Sequence, residues 1–128
     1  MIEKTIVNTC EILKKRGSLS NDSAHSEWHK YQNLPTGVTD VPAVSYGRSF
    51  FIFGGYGKHP EDIKKDVWEF NQGGWHPKSP MINERWGAAA TVFRDCAYVF
   101  GGYPNNVAEL YQIKLDKWKP LNPMPDLL

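Results

Sequence analysis

Long hydrophobic runs are missing from this chain. The apolar stretch behind Met1-Ile2-Glu3-Lys4 is too short for the core of a secretion signal or for a membrane span. Cysteine is scarce as well: Cys10 and Cys96 lie far apart without paired spacing, which excludes both a disulfide scaffold and a zinc ribbon. A reducing compartment is expected. Charge of one sign is also lacking, since 15 Lys and Arg stand against 14 Asp and Glu for a formal net charge of +1, with no long block of either sign. Neither nucleic acid nor a membrane is therefore an expected partner. These absences together point to a cytoplasmic, or nuclear, protein.

What is present suits an all-β chain. Aromatic residues make up 13% of the sequence, with five Trp, and 11 Gly and 9 Pro punctuate the apolar runs as many turns require. The polar stretch from Lys14 to Ser26 reads as a solvated loop. At 128 residues the chain has the length of one ordinary domain.

The sequence repeats. Phe50-Phe51-Ile52-Phe53-Gly54-Gly55-Tyr56 and Ala97-Tyr98-Val99-Phe100-Gly101-Gly102-Tyr103 are both four apolar residues, a Gly doublet and a Tyr, 47 residues apart. Trp28 and Trp75 share that offset, and Trp118 follows Trp75 by 43. Each of these Trp residues precedes a proline beside an apolar residue: Leu34-Pro35, Pro80-Met81 and Pro123-Met124-Pro125. Between doublet and Trp lie Val67-Trp68-Glu69-Phe70 and Leu110-Tyr111-Gln112-Ile113, so the loop over Lys58 to Asp66 is the longer one.

Each period predicts four strands. In the later unit these are about Ala88 to Phe93, Ala97 to Phe100, Glu109 to Lys114, and Lys117 to Leu121. Strands one and two are apolar on both faces, the pattern of a sheet sandwiched between other sheets. The Gly doublet ends strand two, where the chain turns and another backbone approaches closely. A Trp on strand four is expected to be buried against the adjacent sheet as a spacer.

These residues resemble the kelch repeat, an apolar run ending in Gly-Gly, then a Tyr strand, then Trp, then a Pro and apolar turn leading to Arg. The later unit matches with Arg85, Gly101-Gly102, Tyr111, Trp118 and Pro123-Met124. The earlier unit keeps Gly54-Gly55 and Trp75 but has Trp68 in place of Tyr and Val38 in place of Arg, which puts an inner-channel arginine in doubt there. Asn8 to Leu13 resembles a third strand, and Trp28 to Pro35 supplies a fourth; the rival reading is an amphipathic helix over Ile2, Ile6, Cys10 and Leu13. The resemblance implies kelch-type β-propeller blades in an incomplete ring. A partial blade with a polar loop covers residues 1–35, one blade 36–81 and another 82–128. No Trp-Asp dipeptide supports a WD-type propeller.

Propellers close with about four to eight blades, so these cannot close a ring alone, and a fragment of a larger protein is expected. Its open flanks make self-association an expectation. His25 and His29 are spaced as metal ligands on a helix would be, but here they straddle a loop and a strand without a third ligand, so neither a metal nor a cofactor is expected. No nucleophile with a base, carboxylate pair or cofactor cradle can be argued. The resemblance implies a scaffold that binds another protein through blade loops, as in larger adaptor or cytoskeleton-associated proteins. The alternative is a fragment of a kelch-like sugar oxidase or isomerase. Loops leaving strand two and entering the next strand one emerge on one side, and the candidate partner contacts there are Tyr56, Lys58, His59, Arg85, Trp86, Tyr103, Asn105 and Asn106.

Overall fold

A computed structural model describes residues 10–15, 26–104 and 106–122. Short apolar runs bounded by Gly, Pro, Asn and Asp become strands, and among the described residues there are ten: β1 (Cys10–Lys15), β2 (Ser26–Tyr31), β3 (Ala43–Tyr46), β4 (Ser49–Phe53), β5 (Val67–Asn71), β6 (Gly74–Lys78), β7 (Ala89–Phe93), β8 (Cys96–Phe100), β9 (Ala108–Gln112) and β10 (Lys117–Leu121). They form a β1–β2 pair and two antiparallel meanders, β3 to β6 and β7 to β10. β1 is a strand paired with β2, with Cys10 opposite Tyr31, and not the amphipathic helix. The calls on Met1 to Thr9, on His25 and on Pro123 to Pro125 lie outside the described residues.

The period of two assigns each residue to a face. In the first meander Val44, Phe51, Phe53 and Val67 share one face, and they join Ala97, Val99 and Tyr111 of the second meander in a common core. Phe53 meets Tyr111 edge-on at 6.2 Å and Trp118 at 5.7 Å. The opposite face of the first meander carries Phe50, Phe70 and Trp75, and there Tyr31 packs edge-on against Phe70 at 5.8 Å. Each sheet thus leans on the one before it in sequence.

The repeating Trp does more than fill space. Trp118 Nε1 donates to the carbonyl of Ser79 (2.8 Å), just beyond β6, and Trp75 Nε1 donates to the carbonyl of Gln32 (3.1 Å), just beyond β2. In each repeat the indole N–H therefore ties the fourth strand to the preceding sheet. Both Trp residues are half-buried and not enclosed, because β6 and β10 are edge strands with one side of the ring outside the core.

Two expectations change. The third strand of the later unit stops at Gln112 instead of running to Lys114, and Ile113–Leu115 form a short 3-10 turn. Asp116 ends that turn at φ 54°, a left-handed conformation Asp tolerates, and its carboxylate accepts hydrogen bonds from the Tyr111 hydroxyl (2.5 Å) and the Ser79 N–H (2.9 Å). Burial pushes the Asp116 carboxyl up, but these donors hold it below its usual value overall. Burial, reinforced by Asp116, raises the Tyr111 hydroxyl well above its usual value. The second change is in β7, where burial alternates although both faces are apolar in sequence. Only the face with Ala90 and Val92 meets the common core, whereas Phe93 on the other face is 58% exposed. No helix among the described residues is long and apolar enough to cross a membrane.

Candidate functional site: the loop face between the two meanders

The Gly doublets set the geometry of this face. Gly54 and Gly55 have φ of 66° and 92°, and Gly101 and Gly102 of 75° and 88°, conformations that side chains with a Cβ rarely adopt. A Cβ on Gly54 would collide with the Arg85 carbonyl and the Met81 methyl group, so the backbones of the two repeats approach closely at Gly54. Gly55 N–H donates to the Arg85 carbonyl (2.8 Å), Lys64 N–H to the Gly55 carbonyl (2.8 Å), and Arg85 N–H to the Lys64 carbonyl (3.0 Å). This lattice brings the loop after β4 and the connection from β6 to β7 to one side.

The same module recurs 47 residues on. Thr39 and Tyr56 exchange backbone hydrogen bonds at 3.0 Å, and Trp86 and Tyr103 do so at 3.0 and 2.9 Å. Their rings continue the pairing: Trp86 lies 5.3 Å from Tyr56, edge-on, and 5.4 Å from Tyr103, tilted by 41°. Three of the residues singled out in the sequence therefore form one aromatic row.

Arg85 requires a correction. It is fully buried, so it lies beneath the loop face and presents nothing to a partner. Its guanidinium donates to the Gly101 carbonyl (3.2 Å) and the Val107 carbonyl (2.5 Å) and pairs with the buried carboxylate of Glu109. Glu109 in turn accepts from the backbone N–H groups of Ile82 (2.6 Å) and Asn83 (3.1 Å). The physical reason is that Arg supplies several fixed donors, which reach two carbonyls of the loop after β8 and the Glu109 carboxylate at once. The pair thereby ties the loop between β8 and β9 to the connection between β6 and β7. In the first meander Val38 and, by strand register, Trp68 occupy the corresponding positions, both half-buried, so no such ion pair forms there.

Tyr56 is likewise mostly enclosed, at 7% exposure, and supports Trp86. Lys58 and His59 are exposed, Tyr103 is 56% exposed, Trp86 and Asn106 are half-buried, and Asn105 lies outside the described residues. The loop carrying Lys58 and His59 is tied by hydrogen bonds from Asp62 N–H to the His59 carbonyl (2.8 Å) and from Gly57 N–H to the Asp62 carbonyl (2.9 Å). Lys64, 3.1 Å away, holds the Asp62 carboxyl below its usual value. Glu109 and Ile82, which is 49% exposed at the rim, were missed in sequence. An acidic residue within the strand Ala108-Glu109-Leu110-Tyr111 was the available signal for the first. Among the described residues there is no group of three or more His, Cys, Asp or Glu that could hold a metal ion.

No family model matches the chain. Among curated proteins it is similar to kelch-like protein 23 of Mus musculus, with 33% identity over 107 residues, covering 78% of this chain and 19% of that protein. Kelch-like protein 23 of Homo sapiens is 31% identical over 125 residues, 88% of this chain and 22% of that protein. Kelch-like protein 25 of Xenopus tropicalis is 26% identical over 109 residues, 73% of this chain and 18% of that protein. The chain spans about a fifth of the length of the curated relatives it matches.

Proposed function

Because the chain belongs to the kelch-repeat family, we propose that it is a protein-interaction module whose partner docks on the loop face between the two meanders. The observation that carries this reading is the aromatic row of Tyr56, Trp86 and Tyr103, held by backbone hydrogen bonds and opening to solvent at Tyr103. A surface already ordered loses little entropy on binding, and Trp and Tyr are among the residues that dominate interface energetics. Lys58, His59, Trp86, Tyr103 and Asn106 are the proposed contacts, while Arg85 and Tyr56 hold them in place.

A photo-crosslinking amino acid at Lys58 or Tyr103, compared with one at Lys119 on the outer edge of the second meander, tests this. The loop positions should trap a protein partner that Lys119 does not, and the pair Lys58→Glu and His59→Glu should weaken its capture by about tenfold. Crosslinks from Lys119 alone, or from none of the three sites, would remove the loop face from consideration.

A further inference from the structure

Beside the aromatic row lies a groove of about 360 Å³ lined by Pro60, Glu61, Ile63, Trp86, Tyr103 and Pro104. Its walls are two aromatic rings, two pyrrolidine rings and an isoleucine, with one carboxylate. Glu61 is exposed and takes part in no ion pair among the described residues. The Trp86 indole Nε1 is buried without a hydrogen-bond partner among the described residues, so the ring meets the groove as an apolar surface.

We propose that this groove binds a proline-rich segment of a partner protein in the polyproline II conformation, with an Arg or Lys of that segment placed against Glu61. The inference rests on the protein-interaction reading above and specifies its chemistry. A polyproline II helix presents flat pyrrolidine faces, which pack on tilted aromatic rings, and leaves its backbone carbonyls free as acceptors because it has no internal hydrogen bonds. Trp86 and Tyr103, tilted by 41° at 5.4 Å, offer such faces. A strand-adding peptide would instead need an open sheet edge, and a helical ligand would need a groove long enough for several anchors along one face. Here both walls are loops: Pro60 to Ile63 follows β4, and Trp86 and Tyr103 are tied to each other by their own backbones. The charged residue of the lining is an acid without an ion-pair partner among the described residues, so complementarity selects a basic flank.

The test is fluorescence polarisation with the full 128-residue chain and a labelled peptide of about ten residues, proline-rich with a terminal Arg. Control peptides replace Pro by Ala, or Arg by Glu. The proline peptide should bind, the Ala peptide should not, and Tyr103→Ala should weaken binding by about tenfold. Tyr103 is largely exposed, and its backbone bonds to Trp86 survive that substitution, which circular dichroism verifies. Glu61→Lys should weaken the Arg peptide by about fivefold and reverse the preference towards the Glu peptide. Binding unaffected by Tyr103→Ala, or a preference of the unmodified chain for the Glu peptide, overturns the inference. Failure of the proline peptide while loop-face crosslinking persists overturns it and leaves the interaction reading standing. Loss of both removes both.

Discussion

Glu109 and Arg85 show what a single residue decides in this protein. Each is completely enclosed, and each would be an uncompensated charge without the other. Removing one partner should therefore cost more than removing both. We expect Arg85→Met to destabilise the chain by about 3–5 kcal/mol, and Arg85→Met combined with Glu109→Leu to recover a substantial part of that loss. Urea unfolding of the two singles and the double checks it. Additive losses would mean that the two side chains do not act as a pair. Arg85 was legible in the sequence as the residue opening a repeat, but its role was not. Position in a motif does not reveal whether a charged head reaches solvent or is captured by carbonyls from a loop sixteen or more residues away.

At the scale of elements, the turns explain why the strands stop where they do. Gly47 and Gly54 both have positive φ, of 59° and 66°, but a Cβ on Gly47 would meet nothing within 4 Å, while on Gly54 it would strike the Arg85 carbonyl and the Met81 side chain. Gly47→Ala should thus carry only backbone strain, about 1 kcal/mol, whereas Gly54→Ala should cost at least about 3 kcal/mol because the neighbouring repeat must also move. Thermal melting of the two variants gives the comparison, and equal costs would contradict the close approach seen here. Strand positions were readable from apolar runs and doublets: β10 runs over Lys117–Leu121 as expected, and β4 and β8 end at the doublets. The early end of β9 was not readable, because it depends on Asp116 finding Tyr111 and Ser79 as donors in space.

At the scale of the whole molecule, the interface between the two meanders is well covered among the described residues, whereas the far face of the second meander is half-covered. Tyr98 and Phe100 stand at the repeat positions of Phe51 and Phe53, which are 1% and 0% exposed, yet both are only half-buried, as is Leu110 opposite Tyr98. Phe93 and Leu121 on the same face are 58% and 38% exposed, and the Arg94 guanidinium over the Phe93 ring, at 5.2 Å, covers only part of it. A contiguous apolar face of this kind favours association. The purified 128-residue chain is expected to self-associate with rising concentration, and Tyr98→Lys with Leu110→Lys should raise the concentration required by about tenfold. Light scattering across a concentration series measures both. A monodisperse species at every concentration would show that this face is satisfied in another way.

The sequence by itself determined the repeat, its phase and its strand class, because these follow from local chemistry: a two-residue period, turns that need Gly, and a Trp recurring at 47 and 43 residues. It also determined which residues cluster on the loop side, since strand order alone sends Tyr56, Trp86 and Tyr103 to the same ends of their sheets. Only the tertiary structure decided which of them reach solvent. Burial is a property of neighbours contributed by distant segments: Glu109 draws Arg85 inside, Trp86 covers Tyr56, and Tyr103, at the end of the same row, is left in water.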